Sequence, residues 1–282
     1  MAHQARKRFG QHFLVDTGMI HLIIKAIDPQ NNDAVIEIGP GLGAMTKPLL
    51  NALDAMAVVE LDRDLVKFWN NQQIAKLTVH ECDALKFDFR EWAKSQREKL
   101  LQELKDQKIT NGRVKIVGNL PYNISSPLLF HLMEAVSFVD EQVFMLQAEV
   151  VERMVATHGD SEYSRLYVML QSKYHMENVL DVPPECFDPP PKVDSAIVKM
   201  IPRQDLQLNP NEYQALEKIV SMAFAQRRKV LRNNLASVRE LLCLDDEVLA
   251  KRAQDIAVDQ YISWARLLAK HSLTQKYKLA HQ

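Results

Sequence analysis

The sequence predicts an α/β protein, a doubly wound parallel sheet with a small all-α domain at its C-terminal end. Three observations predict it. Short β-rich apolar runs alternate with helix-length segments from 34 to 148, a glycine-rich turn follows the first run, and everything after a proline-bounded stretch at 202–210 has helical patterning. Near-continuous apolar runs belong to strands covered on both faces, and ligands of such sheets bind beyond the carboxyl ends of the strands.

The runs are AVIEI (34–38), AMAVVEL (55–61), LTVH (77–80), RVKIVGN (113–119) and QVFMLQ (142–147). Helices are expected near 149–157 and 164–172. YHMENVLDVP and KVDSAIVKMIP read as two further strands, an antiparallel pair closing the sheet. Between them VPPECFDPPPK is stiffened by proline, which excludes both helix and central strand. A domain boundary is expected near 205, separating 1–204 from a helical domain at 205–282. That second domain comprises helices over NEYQALEKIVSMAFAQRRKVLRNNLASV, DDEVLAKRAQ and VDQYISWARLLAKHS.

With 282 residues, 47% hydrophobic and 25% charged, the chain can bury a full core, and disorder is excluded. No run approaches the roughly 18 apolar residues of a membrane span, and the basic N-terminus lacks the apolar stretch of a signal peptide. A cytoplasmic protein with no membrane partner is expected. Cys82, Cys186 and Cys243 form no CxxC pair, so neither a disulfide framework nor a metal site is expected. The net charge is -1, yet positive charge gathers at Arg6, Lys7 and Arg8 and again at Arg227, Arg228, Lys229 and Arg232. One such cluster is ordinarily a solvated helix face; two on a neutral body fit selective docking to a polyanion.

VIEIGPGLG (35–43) is a strand entering a turn with Gly39, Gly41 and Gly43 spaced G-x-G-x-G. Glycine there allows a sharp turn and close ligand approach. The spacing is not the G-x-G-x-x-G of dinucleotide binding, and Glu37 before the turn is awkward beside a pyrophosphate. An acid there suits a ligand carrying an ammonium and a sulfonium, which favours S-adenosylmethionine over NAD. Glu60 ends the second strand, 21 residues after Gly39, where a carboxylate can bind both hydroxyls of a ribose. Asp83 follows the third strand and can meet the exocyclic amine of an adenine. Each acid alone is unremarkable as a surface charge; three on successive strand ends after a glycine turn make a pocket.

The fourth strand runs into Asn119, Leu120, Pro121 and Tyr122. The N6 amine of adenine is a poor nucleophile because its lone pair is delocalised into the ring. Two acceptors aimed at its N–H bonds, the Asn119 side-chain oxygen and the Leu120 carbonyl, would draw it toward tetrahedral geometry. Pro121 stiffens the turn, and Tyr122 offers a face to an extruded base. Alone, Asn-Leu-Pro-Tyr could be a plain β-turn; one strand beyond the cofactor acids it carries more weight.

Together these residues resemble the ribosomal RNA adenine dimethyltransferases, specifically those acting on the small subunit. The resemblance covers KRFGQHFL (7–14), EIGPGLG (37–43), VVELDRDL (58–65), Asp83, GNLPYNIS (118–125), FMLQAEVVERM (144–154), PPECFDPPPKVDSA (183–196) and FAQRRKVLRNNL (224–235). It implies a Rossmann-like class I methyltransferase domain using S-adenosylmethionine. It also implies four methyl transfers, to N6 of two adjacent adenosines in a hairpin near the 3′ end of small-subunit rRNA, coupled to late assembly of that subunit. Cofactor contacts are implied at His12, Leu14, Gly39, Glu60, Asp83 and Asn119, and Phe187 is implied as a second aromatic wall for the target base. The family often has Asn at position 12, where this chain has His. The implied partner is the small ribosomal subunit and its rRNA; a monomer is expected by default, and the helix carrying Arg227, Arg228, Lys229 and Arg232 is expected to contact phosphates.

Other classes fit less well. Large-subunit rRNA adenine methyltransferases share the pocket and an Asn-x-Pro-aromatic turn, but FAQRRK with its following RNNL and the GNLPYNIS context argue against them. DNA adenine methyltransferases carry a long target-recognition region that this chain lacks. A non-catalytic assembly factor would place no demand on Glu60, Asp83, Asn119 and Tyr122, and a nicotinamide oxidoreductase is disfavoured by the glycine spacing.

Overall fold

A computed structural model describes residues 12–160, 162–206 and 208–280, with side chains described through residue 271. Arg6, Lys7 and Arg8 and the KRFGQ of the N-terminal motif lie outside the described residues. In chain order the first elements are β1 (Phe13–Leu14), α1 (Thr17–Ile27), β2 (Ala34–Ile38), α2 (Thr46–Ala52), β3 (Met56–Glu60), α3 (Arg63–Asn71), β4 (Leu77–Glu81), α4 (Phe89–Lys105), β5 (Val114–Asn119) and α5 (Ser125–Leu132). There follow β6 (Glu141–Gln147), α6 (Ala148–Val155), α7 (Arg165–Gln171), β7 (Tyr174–Val182), β8 (Phe187–Asp188), β9 (Ser195–Pro202), α8 (Pro210–Ala223), α9 (Leu231–Asn234), α10 (Asp246–Ala250) and α11 (Val258–Ala280).

Seven strands form one sheet in the order β4-β3-β2-β5-β6-β9-β7. β2 pairs in parallel with β3 and β5, β3 with β4, and β5 with β6, while β9 runs antiparallel to β6. The five parallel strands fall within one residue of the apolar runs at each end. Their cause is visible in the burial: Val35, Ile36, Ile38, Val58, Val59, Ile116 and Val117 are all buried, as β-branched residues of a sheet covered on both faces should be. Because β2 lies between β3 and β5, strand order reverses there, and a crevice opens beyond their carboxyl ends. The proline-stiffened stretch forms one short helical turn at Pro184–Cys186 and the two-residue β8, which pairs antiparallel with β1 outside the main sheet.

The chain divides into two compact units. The first runs through Glu152 and takes in His175–Pro202; the second comprises Arg153–Tyr174 and the residues from Arg203 onward. The segment 153–174 groups with the C-terminal helices because its polar and aromatic groups are satisfied there. Gly159 N donates to Gln254 O at 2.8 Å, the Lys173 ammonium lies 4.1 Å from the Tyr213 ring centroid, and Tyr163 neighbours Phe224 at 6.4 Å. A single cut near 205 does not convey this discontinuity. Within the second unit α8 begins with Pro210 at its first position and a capping box between Asn209 and Glu212. Ala215, Leu216, Ile219 and Val220 form its buried stripe, and its principal partner is α11.

The expected long helix from 211 to 238 is interrupted. α8 stops at Ala223, residues 224–229 turn, and Val230 forms an antiparallel bridge with Arg252. Asn234 Nδ2 donates to the carbonyls of Ala223 at 2.6 Å and Gln226 at 3.2 Å, satisfying the carbonyls that a continuing helix would have used. Long-range pairing thus overrides a sequence with good helix propensity.

A buried charge network closes the amino-terminal ends of β2 and β5. Lys115 is fully buried; its ammonium donates to the carbonyls of Ile27 and Asp28 and lies 3.4 Å from Asp33. Asp33, 3% exposed, also accepts from the backbone N–H groups of Arg113 at 2.9 Å and Gln30 at 3.1 Å. Removing the carboxylate strands a desolvated ammonium, so Asp33→Ala should lower unfolding stability by about 3–5 kcal/mol. Adding Lys115→Met should recover part of that loss in urea unfolding, the share owed to the stranded ammonium, since Arg113 and two backbone N–H groups also lose Asp33 as a partner. A double variant as unstable as Asp33→Ala alone would rule out the Lys115–Asp33 pair as a source of it.

Candidate active site

Gly39, Gly41 and Gly43 all have positive φ, at 68°, 54° and 91°. The constraint is sharpest at Gly43, where a Cβ would sit 2.6 Å from the ring of Trp69. Trp69, 2% exposed on α3, donates from Nε1 to the Gly41 carbonyl at 3.0 Å, so α3 fixes the turn from behind. Gly39 N donates to Val59 O at 2.9 Å, extending the β2–β3 pairing into the turn.

The turn borders a cavity of about 600 Å³ beyond the carboxyl ends of β2, β3 and β5, a size ordinary for a small-molecule site. His12, Leu14, Gly39, Glu60, Asp83, Asn119, Leu120 and Tyr122 all line it, together with Glu37. Glu37 is 1% exposed and accepts from Thr46 Oγ1 at 2.6 Å; burial, with Glu60 nearby, pushes its carboxyl up to about 7. Glu60 Oε1 accepts from the backbone N–H groups of Leu61 and Asp62, both at 2.9 Å, and burial raises its carboxyl as well. Asp83 Oδ1 accepts from Leu85 N at 3.0 Å, which orients it at the end of β4. Against these acids, Lys47 is the only Lys or Arg lining the cavity among the described residues. That donor set fits a cationic ligand with a ribose and rejects a pyrophosphate.

Asn119 ends β5 opposite Met145 of β6, and Leu120 N donates to the Met145 carbonyl at 3.1 Å with its side chain 1% exposed. The start of the Asn-Leu-Pro-Tyr turn is therefore anchored in the sheet. Tyr122 Oη lies 2.7 Å from Ser195 Oγ. His12 donates from Nδ1 to the Pro189 carbonyl at 2.8 Å, and its ring is near-parallel to Tyr122, 6.4 Å between centroids and 22° between planes. In the neutral imidazole this leaves Nε2 as an acceptor.

Phe187 is placed elsewhere. It is 3% exposed, belongs to an apolar cluster with Leu14, Ile23, Met145 and Ile197, and does not line the cavity. The alternation of β8 explains it: opposite Leu14, Phe187 turns inward while Asp188 is exposed. The residue expected as a second wall for a target base is thus placed in the apolar cluster, paired with Leu14 of β1 and away from the cavity lining. Trp69 and Thr46, which hold the turn and Glu37, lie in no motif of the sequence, and Ser195 lies within PPECFDPPPKVDSA with no feature that singles it out. Only the need of a buried indole N–H or hydroxyl for a partner could have flagged them.

The basic cluster is exposed, on the turn after α8 and on α9 rather than along one helix. Arg232 also pairs with Asp246 at 2.9 Å, which engages part of its charge.

A family model described as Ribosomal RNA adenine dimethylase matches residues 2–277. Ribosomal RNA small subunit methyltransferase A of Cupriavidus metallidurans is 52% identical over 276 residues, covering 94% of each chain. The protein of the same name from Dechloromonas aromatica is 46% identical over 275 residues, covering 95% of this chain and 99% of that one. Among solved structures, a dimethyladenosine transferase from Plasmodium falciparum superposes with a TM-score of 0.72 at 25% identity, covering 90% of this chain and 96% of that one. The 23S rRNA methyltransferase ErmE, at 21% identity, shares the fold with a TM-score of 0.65, covering 91% and 99%. A match that runs almost from end to end, joined to full-length relatives with about half their residues in common, places this chain in the ribosomal RNA adenine dimethylase family.

Proposed function

We propose that the protein binds S-adenosylmethionine in the cavity at the ends of β2, β3 and β5 and dimethylates N6 of two adjacent adenosines in small-subunit rRNA. One observation carries the reading: the Asn119-Leu120 turn and the acid-lined glycine turn face a single cavity. The relatives named as small subunit methyltransferases favour that subunit over the large one. S-adenosylmethionine, when bound, supplies an electrophilic methyl group on a sulfonium.

The chain's own residues do the rest by position and electrostatics. Glu60 accepts from the ribose hydroxyls, Asp83 meets the adenine amine of the cofactor, and Leu14, Gly39 and His12 shape the walls. Asn119 Oδ1 and the Leu120 carbonyl accept the N6 hydrogens of the target adenine, which localises the lone pair on nitrogen. In the second transfer one hydrogen remains, and either acceptor can hold it. Tyr122 takes the face of the extruded base. The proton leaves after the methyl is transferred, so orientation and preorganised acceptors replace a strong base. Arg227, Arg228, Lys229 and Arg232 contact phosphates and confer salt-dependent affinity without reading sequence.

Asn119→Ala should reduce incorporation of labelled methyl into unmodified small subunits by about 10²- to 10³-fold while sparing subunit binding; retained methylation would sink the acceptor role. Because a bound cation favours ionised Glu37, whose carboxyl is held near 7, affinity for S-adenosylmethionine should rise from pH 6 to pH 8. In titration calorimetry Glu37→Gln should flatten that dependence, and a slope identical to wild type would exclude Glu37 as its source. Arg228→Glu should weaken subunit binding and lower its salt dependence by roughly one counterion or more, with cofactor affinity unchanged. Normal binding across a salt series would remove this residue from the interface.

A further inference from the structure

Tyr122 is held at both ends. Its backbone carbonyl accepts from Ser125 Oγ at 3.1 Å, and its phenol oxygen lies 2.7 Å from Ser195 Oγ. Ser195 is fully buried at the first position of β9, where it pairs with Gln147 of β6, so its backbone is fixed by the sheet. The rest of the ring stands on a short turn, free of that ladder. Swinging the ring away would leave a buried hydroxyl without its partner, which penalises other rotamers. Burial also pushes the phenol up, so the oxygen stays a neutral hydroxyl across physiological pH.

We propose that Ser195 is a positioning residue that holds the Tyr122 ring in its rotamer beside the cavity, so that Tyr122 acts through its face and its hydroxyl takes no part in proton transfer. The same segment performs a parallel task for His12, whose Nδ1 is held by the Pro189 carbonyl. The stretch from Pro189 to Ser195 therefore holds both rings near the Asn119 turn, although Phe187 just before it is buried away from the cavity. This inference rests on the methylation reading above.

The test compares Ser195→Ala, Tyr122→Phe and the double variant with wild type on unmodified small subunits, the competent fraction being counted by S-adenosylmethionine binding. Each single variant should lower kcat by about three- to tenfold, with KM for subunits and cofactor affinity within about twofold of wild type. The double variant should be no slower than the slower single one, because both changes remove one hydrogen bond. The pH profile of kcat should keep its shape in all three. Wild-type kcat in either single variant, multiplied losses in the double variant, or a limb of the pH profile lost in Tyr122→Phe but kept in Ser195→Ala would overturn the proposal. Should Ser195→Ala not fold, Tyr122→Phe decides alone, since it leaves every carbon in place: reduced kcat with an unaltered profile supports the proposal, and wild-type kcat defeats it. A wild-type protein that labels no subunits fails the methylation reading itself, and this inference with it.

Discussion

The parallel pairing of β2 with β5 holds the two halves of the site together. Its register sets Ile38 opposite Gly118, and the backbones come so close that a Cβ at 118 would lie 2.7 Å from the Ile38 carbonyl oxygen. One step further the two strands part side by side, with the Gly39 turn against the Asn119 carbonyl; a Cβ at 39 would be 3.8 Å from that oxygen. The acid-lined cavity and the Asn119-Leu120 turn are thus fixed by one ladder of backbone hydrogen bonds. A slip of one residue would send Asn119 to the opposite face of the sheet and separate them.

That geometry is combined with charge that a stability-optimised protein would avoid. Glu37 is buried beside Glu60, and Thr46 compensates only part of the desolvation. The carboxylate form of Glu37 is disfavoured in the folded chain, a cost that a cationic ligand beside it would offset. Lys115 and Asp33, at the other end of the same two strands, form the contrasting case of buried charges already neutralised by each other and by backbone carbonyls.

The central strands β2, β3, β5 and β6 were legible because both of their faces are buried, which keeps the runs mostly apolar even with Glu37 and Lys115 inside them. Helix α8 was legible at its start, where Asn209, Pro210 and Glu212 act locally, and illegible at its end, where Asn234 and the Val230–Arg252 bridge act across the chain. The site divides in the same way. Glu60, Asp83 and Asn119 follow from their places at strand ends. Phe187 does not, because only the pairing of β8 with β1 decides which face of a two-residue strand turns inward. Ser195 and Trp69 act through single hydrogen bonds to distant residues, and no local pattern encodes a partner 73 or 28 positions away.

The excursion of Arg153–Tyr174 into the second unit has a consequence for how the chain can be divided. During synthesis α7 emerges before the helix it packs on, and β7 and β9 emerge after it, so neither unit has all its parts until the ribosome is well past Pro202. A fragment ending there would retain Tyr167, Val168, Met169 and Leu170 on α7 without α8 to cover them. Separating the first unit cleanly therefore requires excising an internal segment as well as removing the tail, since a simple truncation would leave the apolar face of α7 uncovered.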